Sequence, residues 1–250
     1  MFAIISDIHS NLAALTAVLD DIESRGVKEI FCLGDIVGYG PEPRECLDLI
    51  VERHIASIMG NHDHAVFYEP TNFNTGAERA SYWTRSILEQ EPDKEKRIMR
   101  WSFLGRLPVR IQMDNILMIH GSPRRPVNEY IFPDDIYTNS SKLIAIFEKV
   151  KHICFVGHTH VPGVFLDDPD FYAVDELDYT YPITPKERAI INVGSVGQPR
   201  DQDTRASYVV VNEKKVDFVR VAYDIEVTVA KILAHPQLDD FEGERLRDGR

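Results

Sequence analysis

The chain has 250 residues, 44% of them hydrophobic and 27% charged, with a formal net charge of −12. The composition is that of an ordinary globular protein, and the length allows one large domain or two small ones. The acidic balance argues against tight binding to long nucleic acid or to an anionic membrane, both of which need basic patches.

Met1 to Ile5 enters an apolar run with no basic leader, and no apolar stretch is long enough to span a bilayer. Cys32, Cys46 and Cys154 are odd in number and widely spaced, and read as buried free thiols. These features predict a soluble, cytoplasmic protein.

Phe2–Ser6 reads as a strand covered on both faces, ending in Asp7-Ile8-His9. Ser10 or Asn11 caps a helix whose Leu12, Leu15, Val18, Leu19 and Ile22 share one face, and Gly26 stops it. A second strand, Glu29–Leu33, ends in Gly34-Asp35; a helix over Arg44–Arg53 follows a loop stiffened by Pro41 and Pro43. A third strand, Ile55–Met59, ends in Gly60-Asn61-His62-Asp63. This β-α-β-α-β run predicts right-handed crossovers, a largely parallel sheet, and ligands beyond the carboxyl ends of its strands.

Residues 64–107 break the pattern with a polar insertion holding two helices, near Gly76–Gln90 and Asp93–Leu104. Ala80, Trp83, Ile87 and Leu88 form the apolar side of the first, and Ile98, Trp101 and Leu104 that of the second. The insertion is either a lid or a cover for one sheet edge. A hairpin turning at Asp114-Asn115 ends in His120-Gly121. A mostly helical stretch, Pro133–Val150, carries Leu143, Ile144 and Phe147 as its stripe. The strand His152–Val156 then runs into Gly157-His158-Thr159-His160. A β-rich half follows, with strands at 163–166, 171–174, 188–193, 206–211 and 216–222, and a short helix near 226–234. The polar residues 243–250 are expected to fray.

Five strand ends therefore finish in metal-ligand residue types: Asp7 and His9, Asp35, Asn61, His120, and His158 and His160. Two histidines two apart in extended backbone point the same way. Taken singly, Asp7 reads as a helix cap, Asp35 and Asn61 as turn residues, and His120 and His158 as core histidines. Five such coincidences at five strand ends favour a common site. Two divalent cations held close together repel, so they need fixed ligands and a bridging carboxylate; such a pair clamps a phosphate and activates water. Mixed Asp, Asn and His donors without Cys favour Mn, Fe, Zn, Co or Ni, with Mn and Fe first, over Mg or Ca.

With the glycines beside them, Asp7-x-His9, Gly34-Asp35-Ile36-Val37-Gly38, Gly60-Asn61-His62-Asp63, His120-Gly121 and Gly157-His158-Thr159-His160 resemble the signature of calcineurin-like metallophosphoesterases. The resemblance implies one domain over 1–250, folded as a four-layer αββα sandwich (an α+β or α/β fold) with a helical insertion at about 64–107. It implies that Asp7, His9 and His160 hold one metal, that Asp35 bridges, and that Asn61, His120 and His158 hold the other. His62 would bind phosphate and protonate the leaving group, oriented by Asp63.

Within that family, protein phosphatases continue the second motif with an Asp-Arg pair whose arginine grips phosphate, and end the third motif in Glu; this chain reads Gly34-Asp35-Ile36-Val37-Gly38-Tyr39-Gly40-Pro41, without that arginine, and has Asp63. The run Gly34–Pro41 and the later Asn192–Arg200 look like a bacterial and archaeal phosphodiesterase branch, some members of which cleave dinucleoside polyphosphates such as diadenosine tetraphosphate. The expected substrate is a small nucleotide-type phosphoester or phosphoanhydride. The alternatives are a protein or small-molecule phosphomonoesterase, a nuclease, or a non-catalytic interaction module.

Arg124, Arg125 and Arg200 are candidates for the phosphate clamp, since a guanidinium matches phosphate geometry. Tyr39 either stacks on a base or packs over its loop. The Gly194–Gly197 turn is either an anion nest or a structural turn. His64 is either an extra ligand or a bystander.

Overall fold

Along the central strands every second side chain belongs to a different layer, as the two-residue period of a strand requires. The computed structural model describes all 250 residues. β1 (Phe2–Ile5) leads through α1 (Leu12–Ser24) to β2 (Ile30–Cys32), and α2 (Pro43–Glu52) leads to β3 (Ala56–Ser57). α3 (Asn61–Phe67), α4 (Thr75–Glu89) and α5 (Lys94–Leu104) precede the hairpin of β4 (Arg110–Met113) and β5 (Ile116–Ile119). α6 (Asp135–Thr138) and α7 (Ser140–Phe147) come before β6 (Ile153–Val156), β7 (Gly163–Leu166), β8 (Asp170–Ala173), β9 (Thr180–Pro182) and β10 (Ala189–Asn192). The hairpin of β11 (Ala206–Val211) and β12 (Lys215–Val221) is followed by α8 (Ile225–Leu233), α9 (Asp240–Glu244) and a 3-10 turn at Arg245–Arg247.

The strands form two six-stranded mixed sheets, ordered β3-β2-β1-β11-β12-β9 and β4-β5-β6-β10-β7-β8. β1, β2 and β3 are parallel, as are β5, β6 and β10; the rest of each sheet is antiparallel. Ile4, Val209, Val211, Ile153 and Phe155 point between the sheets. Ala3, Ile5, Tyr208 and Val210 face the α1–α2 side, and Cys154 and Val156 face α7. The result is an α/β sandwich of four layers, helix, sheet, sheet, helix. The parallel strands of both sheets put their carboxyl ends at one edge, where the candidate ligands lie.

The insertion packs along α2 and α3 and reaches the C-terminal segment. Leu88, Leu104 and Leu107 join the α1–α2 core. Arg100, buried, forks onto Asp48 of α2 at 2.7 Å through both Nε and Nη2, and its Nη1 lies 2.6 Å from Glu91. Truncating either carboxylate leaves the buried Arg100 charge short of a partner. Ile98 and Ile144, read as core-facing, are exposed; Arg100 and Ile146 take the inward positions.

The C-terminal residues do not fray. Leu246 is buried against Trp83, Val229, Ile232 and Leu238, and Gln202 N–H donates to the Gly249 carbonyl at 2.9 Å. One leucine and a set of ion pairs dock a stretch whose composition reads as polar. The three cysteines are free and buried, and no helix is long and apolar enough to cross a membrane.

Candidate metal centre

Asp7 and His9 follow β1, Asp35 follows β2, Asn61 opens α3 after β3, His120 follows β5, and His158 and His160 follow β6. Asp7, His9, Asp35, His158 and His160 all have positive φ, between 49° and 69°. Left-handed backbone at non-glycine residues is costly and persists where the surroundings over-determine it, commonly at functional sites. The loops also cross at backbone distance: a Cβ on Gly60 would lie 2.1 Å from Asp35 Oδ1, so only glycine fits there.

The donor atoms converge in two groups. His160 Nε2 lies 3.2 Å from Asp7 Oδ1 and 3.1 Å from His9 Nε2. His120 Nε2 lies 2.9 Å from Asn61 Oδ1 and 3.0 Å from His158 Nδ1. Asp35 Oδ2 stands between them, 3.7 Å from His9 Nε2 and 3.3 Å from His120 Nε2.

Three of the histidines are oriented by backbone carbonyls. Nδ1 of His9, His120 and His160 faces the carbonyls of Val37, Leu33 and Gln198 at 3.3, 3.0 and 2.6 Å. A proton on Nδ1 donates to the carbonyl and leaves the Nε2 lone pair free for the centre, the usual outer-shell device of a metal site.

The electrostatics suit a cation. Burial opposes charge on Asp7 and Asp35, but the facing imidazoles outweigh it and hold both carboxyls well below the usual range. Burial pushes His9 and His160 down, and His158 down to about 3, leaving neutral imidazoles able to ligate. Burial also opposes charge on His120, yet the carboxylates of Asp35, Asp7 and Asp63 prevail and hold it up at about 9. Asp7 Oδ1 is buried and has no hydrogen-bond partner. Buried polar atoms without partners are costly, and a carboxylate oxygen among neutral imidazole nitrogens is what a divalent cation satisfies. The donor set fits the metals expected of it.

Residues 1–215 match the calcineurin-like phosphoesterase superfamily domain. The chain belongs to that superfamily. It is a metal-dependent phosphoester hydrolase. It is 40% identical to the uncharacterized protein MJ0912 of Methanocaldococcus jannaschii, over all of this chain and 98% of that one. A metallophosphoesterase structure from Sphaerobacter thermophilus is similar at 38% identity and a TM-score of 0.80, covering 100% of this chain and 98% of that one. The hypothetical protein PH1004 of Pyrococcus horikoshii shares the fold, at 22% identity and a TM-score of 0.78 with the same coverage.

In this phosphoesterase His62 sits at the joint of the two donor groups, and its amide donates to Asp35 Oδ1 at 2.7 Å. Asp63 does not orient it. The Asp63 carboxylate instead accepts from the amides of Asp35, Ile36, Val37 and Gly60, at 2.8, 3.0, 3.3 and 3.0 Å. Asp63 stands at the third position of α3, where the helix start turns its side chain back onto Gly60 and the Asp35 loop. The His62 ring is held by packing, with Tyr39, Phe73 and His9 centred 4.4, 4.6 and 4.8 Å away. A Cβ on Gly38 would lie 2.4 Å from its Nδ1. Burial lowers the His62 pKa to about 4.

The remaining candidates divide. Tyr39 is buried against His9 and His62. Arg200 lies beside it, its guanidinium 5.9 Å from the Tyr39 ring centre. Arg124 is paired with Glu129, while the Arg125 side chain makes no hydrogen bond or ion pair. The Gly194–Gly197 turn is structural: the amides of Gly194, Val196 and Gly197 are taken by Asn192 Oδ1 and the carbonyls of Ser6 and Asp7. His64 belongs to neither donor group and packs on Tyr68.

Two aromatic neighbours escaped the sequence reading. Tyr130 stacks on His158 with ring centres 3.7 Å apart, and Phe73 packs on His62. Tyr130 sits in a loop ten residues after His120, with no periodicity to mark it.

Proposed function

We propose that this phosphoesterase hydrolyses a small nucleotide-type phosphodiester or phosphoanhydride at a dinuclear centre. Asp7, His9 and His160 hold one ion, Asn61, His120 and His158 hold the other, and Asp35 bridges. The carrying observation is the placement of Asp35 Oδ2 between two donor groups, within 3.7 Å of one and 3.3 Å of the other.

Divalent transition ions held there, of Mn, Fe, Zn, Co or Ni type, would supply charge neutralisation on the phosphoryl oxygens and would acidify a water for attack at neutral pH. The protein's own groups supply the rest. The negative charge of a bound phosphate offsets the burial that holds the His62 pKa at about 4 without substrate, so that His62 donates a hydrogen bond to the phosphoryl group and a proton to the leaving oxygen. Its packing among Tyr39, Phe73 and Gly38 fixes the ring without a carboxylate partner. Arg200 offers a guanidinium beside the centre.

The absence of the protein-phosphatase Asp-Arg pair from the Gly34–Pro41 run favours a diester or anhydride over a phosphoprotein, and the net charge of −12 disfavours long nucleic acid. The complete donor set disfavours a non-catalytic module. A substrate panel with Mn-reconstituted protein tests the reading. It contains bis-p-nitrophenyl phosphate, p-nitrophenyl phosphate, cyclic nucleotides, diadenosine polyphosphates and a phosphopeptide. The diesters or anhydrides are expected to turn over fastest; turnover confined to monoesters or the phosphopeptide would overturn it.

A further inference from the structure

The loop after β10 carries Arg200 from the metal centre toward the C-terminal segment. Its amide donates to the carbonyl of His160 at 3.2 Å, so it is tied directly to a candidate ligand. Its guanidinium donates to a neutral acceptor, Gln198 Oε1, at 2.6 and 3.2 Å. Arg200 forms no ion pair, in a chain with 40 acidic residues and 28 basic ones.

Arg245 stands next to it on the C-terminal 3-10 turn, with its side chain 15% exposed. Its guanidinium lies 3.4 Å from Glu242 Oε2 and donates to the Arg250 carbonyl. The Glu242 carboxylate is shared, since it also accepts from Gln198 Nε2 at 2.8 Å. Burial and the neighbouring Arg200 both push the Arg245 pKa down. Arg200, Gln202, Arg245, Asp248 and Arg250 line an open cleft of about 720 Å³ with no hydrophobic residue in its wall.

Three guanidiniums thus meet two side-chain carboxylates: Asp248 pairs with Arg250 at 2.5 Å, and Glu242 is divided between Arg245 and Gln198, which leaves Arg200 without a carboxylate partner. Gathering like charges at a partly buried place is unfavourable unless an anion joins them. A guanidinium presents two parallel N–H donors that match two phosphate oxygens.

We infer that Arg200 and Arg245 form a second anion subsite, which holds a phosphate of the substrate other than the one under attack. The inference rests on the functional reading above and narrows it. The substrate class becomes an oligophosphate, such as a nucleoside di- or triphosphate derivative or a dinucleoside polyphosphate, in preference to a diester whose second arm is neutral. Arg245 is then a specificity residue brought to the centre by the C-terminal segment.

The test is calorimetric binding of two non-hydrolysable probes, methylenediphosphonate and methylphosphonate, to the metal-loaded full chain. Arg245→Ala is expected to weaken the diphosphonate by about tenfold or more, as loss of one charge-assisted hydrogen bond does, and to leave the monophosphonate unchanged. Arg245→Lys should recover part of the loss. Arg247→Ala, on the same turn but paired with Glu226 at the surface, should change neither. An equal loss on both probes would make Arg245 a tail anchor only, and no loss on either would remove it from binding; both overturn the subsite. The same loss in Arg247→Ala also overturns it. Failure of the wild-type protein to hydrolyse any phosphoester, with the diphosphonate preference intact, would sink the functional reading and leave the subsite standing.

Discussion

Asp35 and Asn61 are braced by residues close in sequence, whereas Asp7 and His160 lean on the far end of the chain. In the first half, one carboxylate, Asp63, ties the Asp35 loop to the start of α3 through four amides 3 to 28 residues away. In the second half, Ser195 Oγ donates to the Asp7 carbonyl at 2.8 Å, and the Gln198 carbonyl faces His160 Nδ1 at 2.6 Å. Asn11 donates to the Gly197 carbonyl at 2.8 Å and accepts from Thr228 Oγ1, also at 2.8 Å. Gln198 Nε2 in turn reaches Glu242. The Asp35–Asn61 brace is therefore complete once the first three strands and α3 meet, and that half then takes its two histidines, His120 and His158, from the ends of β5 and β6. The other needs β10, α8 and the C-terminal turn. Asp35 joins the two.

The largest effect should come from the local brace. Asp63→Ala removes the acceptor of four buried amides, and each orphaned donor costs about 1–3 kcal/mol. Urea unfolding of the metal-free variant should show a loss of roughly 4 kcal/mol or more, with lower metal content after reconstitution. Normal stability with low turnover would instead return Asp63 to the role of partner to His62.

Asp35→Asn should act on both halves at once. It serves both donor groups, so it should lose both ions, where Asn61→Ala loses mainly the ion of its own half. Elemental analysis on samples purified without chelator measures this. Equal residual occupancy in the two variants would count against the bridge.

His62 lies at the joint, and its removal should separate chemistry from binding. His62→Ala should keep both ions and lose about a hundredfold to ten-thousandfold in turnover, the usual scale of general acid help. Diesters with alkoxide leaving groups should suffer more than p-nitrophenyl ones, which depart without a proton. Equal losses for both would point to phosphate clamping, and loss of metal would make His62 a ligand.

The same contrast explains what was legible in the sequence. The seven candidate donors could be picked out, because each follows a short apolar strand and strand topology brings such ends to one edge. β1, β6, β10 and β11 were readable for the same reason. The role of Asp63 was not, because its partners lie on a loop that returns only in three dimensions. α3 was missed since its first residues, Asn61 to Asp63, are the site itself and its N-cap is Gly60, with no side chain to announce a helix. β9, three residues long at a sheet edge and ending in Pro182, carries too little pattern to detect. The docked tail was missed because a single buried leucine, Leu246, decides it.

The smallest effect tests the remote half. Glu242 does not touch a ligand; it holds the Gln198 side chain, whose backbone carbonyl orients His160. Direct outer-shell partners of a metal ligand typically matter by 10–100-fold in metal affinity, and Glu242 is one bond further out. Glu242→Ala should therefore weaken one ion by about tenfold or less, and that ion should be the one held by Asp7, His9 and His160. Competition of the metal-free variant with a chromophoric chelator resolves two binding steps if the halves are braced separately. One step should weaken while the other, set by Asp35, Asn61, His120 and His158, keeps its wild-type affinity. Two steps weakened equally would mean that the C-terminal segment stabilises the whole edge of the sandwich rather than one half of the centre.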